Sequence, residues 1–456
     1  MMKTDILLFS FCLDNNPGFE FRGRGRGAHQ IANHMRQSGY NVQVVSMVEK
    51  FTYEELCTII DGFVTPKTII GVSIVFLLDV QKFISLGKAL LYAKQKYKGI
   101  KLVCGGNPPN SVSEFFDKIF HGYSEQEFLQ YANLLRARPT KQFFDIQTLD
   151  FRWDDSDCIM PEEALPIEIS RGCIFKCAFC SYKLNGKKKL DYLRDAKLIT
   201  KEMLDNYNRF GITKYYFLDD TFNDSTQKLE ALHQEITKLP FKIEFWAYIR
   251  ADLLAKYPNQ MKLMKEMGLK YVFFGIETFN DVSAKAIHKG GSRKKLKKFL
   301  EDLHDNQDDI NVTIGLIAGL PRENLESLIS TIEYTKRFNK WLFQLSVLGL
   351  QYQLEHKSDI SNNPSKYGYT FDDDNCWIND TGLNQKEINL ILSKYLSNYK
   401  RKNFIINLSN TSIGWTDVEF TFMYETYSVW IEDYKKKILE RANNALQEKI
   451  GNELSI

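Results

Sequence analysis

Glu168-Ile169-Ser170-Arg171-Gly172-Cys173-Ile174-Phe175-Lys176-Cys177-Ala178-Phe179-Cys180 places three of the chain's eight cysteines on one short loop, at C-x3-C-x2-C spacing, behind an apolar strand pattern. Three thiolates so arranged can cap three irons of a [4Fe–4S] cube and leave the fourth iron open to an exogenous chelator. A closed structural zinc site needs a fourth ligand. No histidine lies between His121 and His233, and Cys158 stands upstream across a proline-containing link, so the residues favour the cluster over zinc. Cys173, Cys177 and Cys180 are therefore the expected metal ligands and the catalytic centre. The other five, Cys12, Cys57, Cys104, Cys158 and Cys376, are scattered and read as small buried hydrophobes.

The cysteine segment resembles the signature of the radical SAM superfamily, including aromatic Phe179 before the third cysteine, and the resemblance continues downstream. Tyr215-Tyr216-Phe217-Leu218-Asp219-Asp220-Thr221-Phe222 is similar to that family's F-x-D-D-x-F strand, and Phe245 to Asp252 to the strand that ends in an arginine. Tyr271 to Thr278 resembles its G-I-E-[ST] strand. Ile314 to Glu323 resembles its G-L-P-G-E strand, with Arg322 in place of the second glycine. Phe343–Leu348 would be the sixth strand of a partial (β/α)6 TIM-barrel core over 165–348, with the polar residues at its strand ends.

The resemblance implies two cofactors, a [4Fe–4S] cluster and S-adenosylmethionine (SAM). Such clusters reach about −400 mV, so an electron can enter the S–C5′ bond and leave methionine and a 5′-deoxyadenosyl radical. It further implies Asp219 or Asp220 near the SAM amine, Arg250 near its carboxylate and Glu277 toward the ribose hydroxyls. Gly315 and Gly319 would admit the adenosyl group. The residues also allow blander roles: Asp219-Asp220-Thr221 as a helix cap, Arg250 with Asp252 as a surface pair. Lys187–Lys189 and Lys289–Lys298 read as solvated faces, with Lys289-Gly290-Gly291 as a packing turn.

Before the cysteine loop, Ile6–Phe11, Val42–Ser46, Thr68–Val75, Lys101–Cys104 and Ile119–Phe120 read as strands. They alternate with helical patterns at Gly27–Ser38, Tyr53–Asp61, Val80–Tyr97 and Glu125–Leu135. That alternation predicts an α/β, Rossmann-like domain over 1–135, with ligands at the carboxyl ends of its strands. Gly27 to Val42, the Val103 to Pro108 loop and His121-Gly122-Tyr123-Ser124-Glu125 resemble the cobalamin-binding domain that precedes many radical SAM cores. The resemblance implies cofactor contacts at Gly27, Gly105, Gly106 and Gly122. The family's cobalt-ligating Asp-x-His-x-x-Gly is absent: Arg22 and Arg24 stand at its Asp and His positions, and a guanidinium has no lone pair for a metal. The domain thus either holds cobalamin without a lower protein ligand or has lost it. Arg22, Arg24 and Arg26 would also suit a phosphate or carboxylate. His29 and His34 read as surface or packing residues.

Residues 136–164 read as a linker and 349–456 as an α-rich C-terminal extension, expected as a packed layer closing the barrel's open side. There Leu383–Asn398 and Tyr427–Lys449 look helical, Phe404–Leu408 reads as a short strand, and Trp341, Trp377, Trp415 and Trp430 are among the dense aromatics. His356 and Cys376 are secondary candidates. The chain has 456 residues, room for about two to three domains. Its net charge of +3 gives no global electrostatic case for a nucleic-acid partner. The longest apolar run, Thr68 to Leu78, is too short to span a membrane. Met1 to Leu13 runs into Asp14-Asn15-Asn16-Pro17 without a small-residue cleavage site, so it reads as a first strand and the chain as cytoplasmic.

The function these features imply is a radical SAM enzyme acting on a small-molecule or peptide substrate, served by an electron donor such as flavodoxin or ferredoxin. Methyl transfer or rearrangement is the expectation if cobalamin binds. The alternatives are a cobalamin-free enzyme of hydrogen abstraction (an epimerase or dehydrogenase) and a non-enzymatic iron–sulfur or zinc protein.

Overall fold

The apolar runs at the start of the chain form a five-stranded parallel sheet in the order β2-β1-β3-β4-β5: β1 Ile6–Ser10, β2 Val42–Ser46, β3 Ile69–Ile74, β4 Lys101–Gly106 and β5 Lys118–Phe120. This is a computed structural model describing residues 4–11, 24–74, 80–106, 108, 110–140, 142–161, 163–181, 184, 186–187, 192–306, 309–350, 358–398, 404–408, 411–412 and 420–454. Cys12, Arg22, Asn107, Lys188, Lys189, His356 and Trp415 lie outside these. Every residue of β1 and β2 is buried, as strands covered on both faces must be. Ile6 and Leu8 pack with Ala28, Ala32 and Met35 of the helix Arg26–Gln37. Leu7 and Phe9 face the other way, onto Leu56, Ile59 and Ile60 of the helix Tyr53–Phe63. Because β1 is flanked by β2 and β3, the chain reverses direction across it and leaves a crevice at the strands' carboxyl ends.

A second sheet carries the cysteine loop. Its order is β15-β14-β11-β10-β9-β8-β7-β6, where β6 is Ala164–Glu168, β7 Lys214–Leu218, β8 Glu244–Ile249, β9 Leu269–Glu277, β10 Asn311–Ala318 and β11 Leu342–Val347. The strands β6 to β11 pair in parallel, each with its chain neighbour and with a helix in between. Tyr215, Phe217, Phe245, Ala247, Phe274, Ile314 and Leu345 are fully buried on the helix-covered face. Tyr248, Phe273, Glu277, Thr313, Gln344 and Ser346 alternate with them and are half-buried on the other face.

The sheet does not end at its sixth strand. A tiny hairpin of β12 (Thr370–Phe371) and β13 (Trp377–Ile378) stands apart; β14 (Phe404–Leu408) then pairs in parallel with β11, and β15 (Thr411–Ser412) antiparallel with β14. The expectation that the extension closes the barrel also needs correction. The last helix, Phe420–Leu454, returns to the first sheet: Trp430, Ile431, Tyr434, Ile438 and Ala442 join the core around the helix Tyr53–Phe63, and the Tyr434 hydroxyl accepts from the Ser46 amide at 2.8 Å. Among the described residues of the extension, Ile360, Tyr367, Tyr369, Trp377, Leu383, Ile388 and Leu392 pack into the core of the second sheet. No helix among the described residues is long and apolar enough to cross a membrane.

Candidate active site

The cysteine loop is held in shape by its own backbone. Gly172 has φ +113°, and a Cβ there would lie 2.5 Å from the Leu184 carbonyl oxygen, so only glycine fits. The Cys173 amide donates to Leu184 O at 3.2 Å, and Ala178 is bonded on both sides, to Ile287 O and from the Ile360 amide, each at 3.0 Å. Cys173 is buried, Cys177 and Cys180 half-buried, and none of the three is in a disulfide. Burial pushes the Cys173 thiol up to about 11, so it gives up its proton to a metal rather than to water. Donors meet the sulfurs: the Phe175 amide lies 3.5 Å from Cys173 Sγ and Arg250 Nη1 3.8 Å from Cys177 Sγ. Reduced thiols under N–H and guanidinium donors suit an anionic iron–thiolate cluster, whose three cysteines each take a different iron. Among the described residues no three His, Cys, Asp or Glu side chains, the three cysteines included, are gathered as a metal site.

Asp219 and Asp220 part company. Asp219 turns into a buried ion pair with Lys228 (3.0 Å) and accepts from the Thr221 amide, whereas Asp220 accepts from the Gly172 backbone beside the cysteines. Burial, reinforced by the Asp219 charge, raises the Asp220 carboxyl to about 7. The following helix is capped by Ser225, not by the aspartates. Arg250, at the end of β8, is no surface residue: it is buried, stacks 3.9 Å over Phe175, gives Nε and Nη2 to Asp252, and keeps Nη1 toward Cys177. Glu277, with φ +67°, accepts from Lys289 at 3.0 Å, and Lys289 also lies 5.8 Å over Phe179. Lys289 is thus buried, not solvated.

Gly315 and Gly319 lie against the chain's own aromatics. A Cβ on Gly315 would lie 2.6 Å from the Phe273 ring, and one on Gly319 would strike the Trp377 ring at 2.1 Å. Sequence reasoning took Thr221 only as part of a helix cap and passed over Tyr192, Asp224 and Lys228 behind Cys173. It also passed over the Glu168–Arg171–Glu125 cluster that ties the residue before Gly172 to the first domain (Arg171 to Glu125 2.5 Å, to Glu168 2.6 Å). The adjacency of Arg171 to Gly172-Cys173 was the available signal.

At the first sheet, among the described residues, Gly105 and Gly122 have nothing within 4 Å of a built Cβ and Gly27 meets only Ser73 Oγ at 3.7 Å, while Gly106 and Gly122 have φ +104° and +70°. Arg24 and Arg26, the described arginines of the loop before Gly27, are not ligand donors. Arg24 is fully buried in a pair with Glu163 at 2.5 Å and under the Tyr434 ring, and Arg26 pairs with Glu202 at 2.6 Å over Phe151. Both join the two halves of the chain, which corrects the phosphate reading for them. His29 is buried with its Nε2 2.8 Å from Ser46 Oγ and its ring against Trp153, and His34 packs on Phe144, so both are packing residues.

The sequence profile of the radical SAM superfamily matches residues 167–335, from within β6 through the helix Leu325–Thr335. That span belongs to the radical SAM superfamily. The chain is 28% identical over 178 residues to an uncharacterized methyltransferase of Pyrococcus horikoshii, covering 37% of this chain and 36% of that protein. It is 27% identical over 222 residues to hopanoid C-3 methylase of Methylococcus capsulatus, covering 48% and 37%. The chain therefore spans little more than a third of the length of these relatives. Its fold is similar to that of TsrM, a radical SAM methyltransferase of Kitasatospora setae solved with cobalamin and a [4Fe–4S] cluster (TM-score 0.59, 14% identity, 76% of this chain and 75% of that one). It is also similar to that of OxsB, solved with aqua-cobalamin and SAM (TM-score 0.58, 14% identity, 94% and 67%). At such identities the likeness is one of fold.

Proposed function

We propose that the chain is a radical SAM enzyme whose cluster is held by Cys173, Cys177 and Cys180. The second sheet then serves as a partial (β/α)6 barrel over 165–348, and residues 1–135 as a Rossmann-like cobalamin-binding domain. Residues 136–164 would be the linker and 349–456 an extension. The observation that carries this is the Arg250 guanidinium 3.8 Å from the Cys177 sulfur, with the Asp220 carboxyl bonded to the Gly172 backbone of the same loop, at the carboxyl ends of β6, β7 and β8. Bound there, a [4Fe–4S] cluster would supply the electron that splits SAM into methionine and a 5′-deoxyadenosyl radical.

The chain's own residues orient that substrate. Arg250 has two nitrogens fixed by Asp252, so its remaining donor faces the cluster loop at a set angle and suits the methionyl carboxylate. Asp220 accepts the ammonium, and Glu277, held through one oxygen by Lys289, offers the other to the ribose hydroxyls. Cobalamin would sit at Gly105 and Gly122 without a lower protein ligand, because Arg24, at the family's histidine position, has no lone pair for cobalt and is paired with Glu163. The fold shared with cobalamin-bound TsrM and OxsB supports methyl transfer to a small-molecule or peptide carbon. The missing histidine favours a second reading, cobalamin-free hydrogen abstraction. A flavodoxin or ferredoxin would supply the electron, and the reaction would run in the cytoplasm.

Anaerobic incubation of the reconstituted protein with SAM and dithionite is expected to yield 5′-deoxyadenosine, and none with Cys177→Ala. A wild-type chain that makes none contradicts the proposal. Hydroxocobalamin retained after desalting selects methyl transfer; its loss selects the second reading.

A further inference from the structure

We propose that Thr221 sets the reduction potential of the cluster by donating its hydroxyl proton to the sulfur of Cys173. The inference rests on Cys173 being a cluster ligand. Thr221 Oγ1 lies 3.2 Å from Cys173 Sγ and 2.7 Å from the Asp220 carbonyl oxygen. Thr221 has one proton and two acceptors to choose from. With a protonated thiol the choice is settled: the S–H points to Oγ1, and the hydroxyl donates to the Asp220 carbonyl. Once iron replaces the thiol proton the sulfur is an acceptor only, and an anionic one, which draws the stronger hydrogen bond.

The surroundings hold Thr221 at this spot. Its amide donates to Asp219 Oδ1 at 3.0 Å and its carbonyl accepts from Lys228 Nζ at 2.9 Å. Lys228 in turn lies between Asp219 (3.0 Å) and Asp224 (2.6 Å), and the Tyr192 hydroxyl donates to Asp224 at 2.7 Å. All five side chains are buried. Burying a lysine and two aspartates is costly unless the geometry is used. None of the three is a cluster ligand, and their joint effect is to fix Thr221 from both sides of its backbone. A donor on a ligating sulfur draws charge from the irons and favours the reduced cluster, so hydrogen bonds to the sulfurs tune potential.

An EPR-monitored redox titration of the reconstituted chain tests this. Thr221→Val, nearly the same shape without the hydroxyl, is expected to bind the same iron and sulfide at a lower midpoint potential, while Thr221→Ser stays at the wild-type value. Lys228→Met, which frees the Thr221 carbonyl, shifts the midpoint in the same direction. If the valine chain loads poorly, Thr221→Ala and Thr221→Ser are compared at equal iron content, and identical potentials overturn the inference. A loaded valine variant at the wild-type potential overturns it too, and leaves the cluster reading intact. A wild-type chain that takes up no [4Fe–4S] cluster overturns the cysteine reading and this inference together.

Discussion

Asp219 and Asp220 are neighbours with opposite surroundings, and the difference decides what each can do. Asp219 is locked to Lys228 and the Thr221 amide; Asp220 faces Gly172 with its carboxyl raised by burial. Asp219→Asn leaves Lys228 paired with Asp224 but takes away one of its two buried carboxylate partners, and is expected to cost about 1.5–3 kcal/mol of stability in denaturant unfolding. Asp220→Asn should leave stability nearly unchanged and weaken SAM binding by roughly 10- to 100-fold, the worth of one charged hydrogen bond. Equal effects of the two substitutions would contradict the division. The pair was legible as a site residue, but which member was not, because the deciding lysine arrives nine residues later on a helix. Glu323 makes a second case: it accepts from the Gly319 amide at 2.6 Å, and burial raises its carboxyl from 4.5 to about 7. The folded chain then holds a proton that the unfolded chain has lost between those values, so stability falls as pH rises through that window and is flat above it. Glu323→Gln should remove this decline, gaining roughly 3 kcal/mol on the wild type between pH 4.5 and 7.5. Parallel stability curves would show that the carboxyl is not so raised.

Elements were legible where their period met a strong boundary. The strands β1, β2 and β6 to β11 announce themselves by apolar runs ending in glycine or charge, and the short β14 was visible too. What a period does not carry is the partner of an apolar face. The C-terminal helix has such a face, and nothing within it says that the face seats on the helix Tyr53–Phe63 instead of the second sheet. The contact is made by a glycine: a Cβ on Gly62 would lie 2.4 Å from the Ala442 carbonyl oxygen. The sequence pattern ended that helix at Asp61, yet it runs through Gly62 to Phe63 because the last helix needs the gap. Gly62→Ala should push the helices apart at a cost of about 1–3 kcal/mol, seen as a lower denaturation midpoint and earlier proteolytic release of the C-terminal segment. An alanine chain as stable as the wild type would mean that the two backbones do not meet there.

At the scale of the molecule, buried pairs fasten the first sheet to the second: Arg24–Glu163, Arg26–Glu202 and Arg171–Glu125. The arginine-rich loop suggested a ligand; its partners, far along the chain, make it a joint. One consequence is that the first sheet's rim and the cysteine loop meet through Arg171, one residue before Gly172. On the proposed function this loop carries a cluster that SAM can reach, and EPR of the reduced, reconstituted protein is the direct test. The expected result is a [4Fe–4S]+ signal in the wild type that changes on adding SAM. A cluster signal indifferent to SAM would contradict the account and leave a structural iron–sulfur protein.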